Sequence, residues 1–169
     1  MNPKTPAASK TVLTDLVLPG DTNPLGNLFG GELLSRMDRA ACIAAERHAG
    51  NVVVTASVNH VHFSKPVPLG SVLTLEAKVS RSFSTSIEVF IDVWIELRGS
   101  SKLREKANEA IYTFVAVDGK GKPTSVPPVK PETELERSRY DAALRRRQLS
   151  LILAKKLSPG DATELKALF

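Results

Sequence analysis

The sequence predicts an α+β domain, on three observations. One segment free of glycine and proline, Glu32–His48, is rich in Ala, Leu, Met, Arg and Glu, all good helix formers. Four later segments alternate apolar and polar residues with the period of two that marks extended strands. No helical segment separates those four, so short connections join strands running in opposite directions and the sheet is largely antiparallel.

The elements follow in order. Thr11–Pro19 carries Val12, Leu13, Leu16, Val17 and Leu18 and reads as a short strand ended by Pro19-Gly20. A turn-rich stretch, Asp21-Thr22-Asn23-Pro24-Leu25-Gly26-Asn27, leads to Phe29-Gly30-Gly31 and the helix, which stops at Gly50-Asn51. The four strands are Val52–Phe63, Ser71–Ser80, Ser86–Leu97 and Lys106–Val117; Ile87, Val89, Ile91, Val93 and Ile95 share one face of the third. Residues 118–123 form turns, and the prolines of 126–131 do not enter a sheet interior. Residues 1–10 are then a flexible terminus, 11–118 the folded body and 119–131 a Gly/Pro-rich linker. Residues 132–169 are a basic helical extension, with one helix over Glu132–Lys156 and a short last one over Ala162–Phe169.

Composition narrows the function classes. Of 169 residues, 42% are hydrophobic and 24% charged, ordinary values for a globular protein. The one cysteine, Cys42, excludes an intrachain disulfide and zinc sites built on several cysteines. No run approaches the length of a membrane span, and Met1–Lys10 lacks the apolar stretch of a signal peptide, so a cytoplasmic protein is expected. The net charge of +5 lies entirely in the C-terminal segment, from Gly119 onward, and the first 118 residues are neutral. With aromatics at only 5%, that distribution suits an anionic small ligand or a subunit contact better than nucleic acid.

The helix carries the chemistry. At about 100° per residue, Leu33, Leu34, Met37, Ala40, Ala41, Ala44 and Ala45 fill one apolar arc, and Asp38 sits at its edge. A carboxylate partly removed from water is a better base. The helix begins at Gly30-Gly31, where unpaired backbone N–H groups suit a developing oxyanion and the glycines allow close approach of a carbonyl. On these residues alone, a plain structural bond from Asp38 to Ser35, Cys42 or a neighbouring subunit stays open.

The run Asp21–Asp38 resembles the signature of hotdog-fold acyl-CoA thioesterases, and within them the group of bacterial short-chain and brain-type acyl-CoA hydrolases. The resemblance continues through Phe63–Gly70, Thr85–Val89 and Tyr112–Asp118 and covers residues 10 to 131. It implies a hotdog fold, a long central helix wrapped by a curved antiparallel sheet. It also implies a homodimer as the active unit, with three dimers forming a hexamer. The implied activity is hydrolysis of the fatty acyl-CoA thioester, with coenzyme A as part of the substrate and no cofactor or metal required. The family's catalytic pair maps to Asn23 of one subunit and Asp38 of the other, with Gly30 and Gly31 at the oxyanion. Asp38 is then a general base or a nucleophile. Relatives carry an Arg near position 84; here Ser84 stands there, which moves the expected coenzyme A contacts to Arg81, Ser82 and Ser84, with Arg145-Arg146-Arg147 of the extension as a further candidate.

Other residues invite other chemistries. His60-Val61-His62-Phe63 followed by Pro66-Val67-Pro68 is similar to a stretch of hotdog hydroxyacyl dehydratases, but there a helix with an acidic partner follows, whereas a strand is expected here. His60 and His62 share a strand face without an evident third metal ligand. Cys42 lacks a histidine or cationic neighbour, and Ser35 lacks a Gly-x-Ser-x-Gly elbow. A non-hydrolytic acyl-CoA-binding or regulatory protein is the rival function, and Asp38 argues against it, since a pure binder has no need of a carboxylate beside a thioester.

Overall fold

A computed structural model describes residues 1–97, 99 and 104–168. The elements are α1 (Pro6–Ser9), β1 (Thr11–Leu16), α2 (Gly30–Ala49), β2 (Val53–Phe63), β3 (Val72–Ser82), β4 (Ser86–Glu96), β5 (Glu105–Ala116), α3 (Glu134–Leu153) and α4 (Thr163–Lys166). The β-strands form one antiparallel sheet in the order β1-β3-β4-β5-β2, so β1 and β2 are its edges. The single helix followed by four strands is therefore as the sequence predicts. Phe169 lies outside the described residues.

Alternation decides which face of the sheet meets α2. Ile87, Val89, Ile91 and Val93 of β4 are fully buried and stand opposite Phe114, Tyr112, Ala110 and Asn108 of β5. The Tyr112 hydroxyl donates to the Leu34 carbonyl of α2 at 2.9 Å, which places this face against the helix. Met37, Ala40, Ala41, Ala44 and Ala45 are buried on α2, and their small side chains let the helix lie close to the strands. Each large apolar side chain buried here contributes about 1.5–3 kcal/mol. α2 ends where Gly50 takes a left-handed conformation at φ 69° and its N–H bonds the Glu46 carbonyl, a conformation glycine adopts without strain.

The opposite face, with Glu88, Phe90 and Asp92, is covered by α3. Thr133 and Glu136 form a reciprocal cap that starts this helix. Arg139 stacks on Phe90 at 3.8 Å and bonds Asp92 at 2.9 Å, and Arg146 grips the buried Glu88 carboxylate at 2.7 and 3.0 Å. Arg147 lies over Phe83 at 4.3 Å and donates to Ser86. The basic extension is thus folded back on the sheet, with Arg139, Arg146 and Arg147 engaged by rings, carboxylates and a hydroxyl of their own chain. The residues before it pack as well: Val126 and Val129 are buried, and the Ser82 hydroxyl donates to the Pro127 carbonyl at 2.8 Å.

The first ten residues, read from sequence as a flexible terminus, carry α1 and a parallel bridge from Lys4 to Val129. The Lys4 ammonium donates to the carbonyls of Arg47 and His48 at the end of α2, a favourable place for a cation. Among the described residues no helix is long and apolar enough to cross a membrane.

Candidate active site

The loop before α2 is built to hold Asn23. Asn23 Oδ1 accepts from the N–H groups of Leu25 and Asn27 at 2.9 and 3.2 Å, closing a tight turn with Gly26 at φ 72°. With Oδ1 occupied, the Nδ2 amine is the part of the side chain that remains to donate. The loop is tied to residues 67–69: Leu28 N–H bonds the Val67 carbonyl and Leu69 N–H the Gly26 carbonyl, both at 2.8 Å. Two segments that carried the family resemblance therefore touch.

Phe29 precedes α2 with no side-chain cap, so the N–H groups at Gly30 and Gly31 are open to a ligand. A Cβ at Gly30 would meet the Phe63 ring at 3.5 Å, and one at Gly31 would meet nothing within 4 Å. Asn23, Gly30, Leu33, Phe63, Val67 and Asn108 line a cavity of about 330 Å³. Asn108 is 2% exposed; its Oδ1 has no partner among the described residues, while its Nδ2 reaches the Lys65 carbonyl at 3.4 Å.

Asp38 is half-buried at the border of the apolar arc, as its place in the sequence predicts. The Thr55 hydroxyl of β2 donates to Asp38 Oδ1 at 3.0 Å. Sequence reasoning missed Thr55, because a contact between a helix and a strand 17 positions later leaves no local signal. Burial, and then the Asp38 charge, push the Tyr112 phenol up to about 12. Burial also pushes the Cys42 thiol up, with Glu46 and Asp38 adding to it, so Cys42 is a protonated, packed thiol.

Within one protomer Asn23 and Gly30 share a cavity, and Asp38 stands apart from them. Eight residues of helix separate Gly30 from Asp38, about 12 Å at 1.5 Å per residue. The expected coenzyme A contacts line a different region. Arg81 donates to the Tyr140 carbonyl at 3.0 Å and stacks on that ring at 4.0 Å, Ser82 holds Pro127, and the Ser84 carbonyl accepts from Val126. All three fasten α3 and the segment before it. His60 adopts φ 55° at a bulge in β2, so it and His62 line separate cavities. The element after β2 is β3, without the helix a dehydratase arrangement requires.

Residues 25–101 match the thioesterase superfamily. The acyl-CoA thioester hydrolase YkhA of Bacillus subtilis, itself uncharacterised, is 43% identical over 138 residues, 82% of this chain and 80% of that one. The chain belongs to the hotdog-fold acyl-CoA thioesterase family. This hotdog thioesterase is also similar to the acyl-CoA hydrolase of Staphylococcus aureus, solved with butyryl coenzyme A and coenzyme A. That protein is 38% identical, with a TM-score of 0.83 over 90% of this chain and 94% of that chain. An apo-hexameric acyl-CoA thioesterase is 38% identical, with a TM-score of 0.87 over 91% and 98%.

Proposed function

We propose that this thioesterase hydrolyses acyl-CoA to the free acid and coenzyme A. Its homodimer has two sites, each taking Asp38 and Thr55 from one subunit and Asn23 with the Gly30–Gly31 helix start from the other. The observation that carries this reading is the separation within one protomer. An uncapped helix start and a carboxylate about 12 Å along the same helix cannot act on one carbonyl carbon. A two-fold axis brings one protomer's helix start to its partner's Asp38. The strand that bears Thr55 is the edge strand β2, eleven residues long, with Val54, Val58 and Phe63 exposed at 49%, 44% and 51%. An unpaired, apolar edge of this length favours pairing with a second copy.

The relatives support the same assignment. In the S. aureus hydrolase, alanine has been placed at an Asn, at an Asp fifteen positions later, and at a Thr seventeen positions after that. Asn23, Asp38 and Thr55 follow the same order and spacing. The hexameric relative favours three such dimers in one assembly.

In this mechanism the thioester oxygen sits against the helix-start N–H groups and the Asn23 amide. Asp38, oriented by Thr55, takes a proton from water as the resulting hydroxide attacks the carbonyl carbon. The oxyanion collapses, the C–S bond breaks and coenzyme A leaves as a thiolate, a leaving group good enough to need no histidine acid. Direct attack by Asp38 through an anhydride gives the same products. Thiol release from acetyl-, butyryl- and palmitoyl-CoA tests the activity and ranks chain lengths. The Asp38→Asn variant, of nearly the same volume, is expected to lose at least about 100-fold in turnover while keeping its assembly. Turnover at the wild-type rate in that variant removes Asp38 from the mechanism.

A further inference from the structure

Asp21 is a charged anchor of the Asn23 loop. Asp21 ends a single 3-10 turn, Pro19–Asp21, two residues before Asn23. Its Oδ2 accepts from the Leu18 N–H at 3.0 Å and from Arg36 Nη2 at 2.7 Å. Those two donors hold the Asp21 carboxyl below the usual carboxylate range, so it is charged. Its backbone carbonyl accepts from the Phe29 N–H at 2.9 Å, and Phe29 is the residue that precedes the first turn of α2. One residue therefore connects the stem of the Asn23 turn to the start of the helix.

Arg36 is the post to which Asp21 is tied. It lies on α2 beside the fully buried Met37, and its side chain is 10% exposed. Its second amine, Nη1, stands 3.3 Å from Asp15 Oδ2 of β1, within ion-pair range but off the axis of a hydrogen bond. A guanidinium held by the core and gripped from two sides cannot follow a moving loop, so the loop is fixed to it. Neither Arg36 nor Asp21 belongs to the acid–base chemistry above.

We propose that Arg36 and Asp21 are positioning residues for the oxyanion half of the site. Their ion pair sets the place of Asn23 and of the Gly30–Gly31 helix start. The proposal rests on the assignment of Asn23 and Asp38 to one site shared between subunits. Because Asn23 serves the site whose carboxylate is the partner's, the pair acts on that site alone. A pair that only stabilises the fold would damage both half-sites of its subunit.

Complementation separates the two cases. Asp21→Asn keeps the side chain's shape and removes its charge. Alone, it is expected to lower kcat about 10- to 100-fold, the scale of a one-ångström misplacement. KM should stay within about two-fold, since the lost interaction belongs to the transition state. Mixed 1:1 with Asp38→Asn and allowed to exchange fully, it should recover about a quarter of wild-type activity, because half of the dimers carry one intact site. Mixed with Asn23→Ala it should recover nothing, both lesions lying in the same half-site. Failure to complement Asp38→Asn while the Asn23→Ala and Asp38→Asn control pair recovers overturns the proposal, as does a wild-type kcat for Asp21→Asn. Failure of the control pair itself marks the shared site as wrong. The positioning role then stands or falls on whether Asp21→Asn loses kcat at constant KM and unchanged oligomer mass. If Asp21→Asn does not assemble, Arg36→Lys, which keeps the charge without the planar fork, takes its place with the same expected pattern.

Discussion

Replacing Arg146 by methionine removes the guanidinium that neutralises Glu88 and keeps most of the side chain's length. The Glu88 carboxylate is 6% exposed and Arg146 27% exposed, with two hydrogen bonds between them. Without Arg146 the carboxylate keeps, among the described residues, the Ser80 hydroxyl at 2.5 Å, on the face that α3 covers. Breaking a fully buried pair costs about 3–5 kcal/mol; the exposure of Arg146 lets water reach the vacated side, so about 2–3 kcal/mol is expected. For a chain of this size that is a fall in Tm of about 5–10 °C. Adding Glu88→Gln to Arg146→Met leaves no unpaired charge and keeps the contact with Ser80, so most of the loss should be regained. Scanning calorimetry at pH 7 on wild type and the single and double variants reads all of this. Raising the salt should change the single variant's deficit little, since a sheltered pair is weakly screened. A shift below about 1 °C for Arg146→Met, or a double variant no better than the single one, would refute the view that α3 is clamped by this ion pair.

Three further outcomes follow from the same contacts. Truncation after Pro131 removes Arg139, Tyr140, Arg146 and Arg147 together, uncovering Phe83, Phe90 and Glu88; gel filtration and calorimetry should show destabilised or aggregating protein, where a pure coenzyme A role for the tail predicts only a raised KM. Thr55→Val deletes the hydroxyl that orients Asp38, and should lower kcat about 10- to 100-fold with Tm nearly unchanged, whereas Thr55→Ser restores most of the rate. His48 is fully buried with Nε2 on the Pro127 carbonyl at 2.8 Å, and burial holds its pKa below the ordinary histidine value. The unfolded chain therefore binds the extra proton first, and this stability, present above about pH 6.5, is lost as the pH falls below it; His48→Gln should flatten Tm against pH in that window.

The elements with one strong period were legible in the sequence. The arc of Leu33, Met37, Ala40, Ala41, Ala44 and Ala45 gave α2 and the position of Asp38, and the alternation from Ile87 to Ile95 gave the face of β4 that meets it. The docking of α3 was not legible, because it has no apolar stripe. Leu135, Leu149 and Leu153 remain exposed, and the helix is held by Arg139, Arg146 and Arg147 on rings and carboxylates far away in sequence. The partners of Arg81 and Ser82, Tyr140 and Pro127, were equally out of reach of the sequence, since they lie 59 and 45 positions away. Two bulges in β2, at Thr55/Ser57 and Asn59/His62, broke the alternation that had put His60 and His62 on one face. Of the residues proposed for catalysis, Asn23 and Asp38 were readable as a motif, and Thr55, which donates to Asp38, needed the fold.

The most direct measurement is thiol release after mixing two inactive proteins, Asn23→Ala and Asp38→Asn. If the site is shared between subunits, each mixed dimer holds one doubly altered site and one intact site. A fully exchanged 1:1 mixture should then recover about a quarter of the wild-type rate, rising in step with the mixed species seen by native mass spectrometry. A mixture that exchanges completely and stays inactive would contradict the shared site.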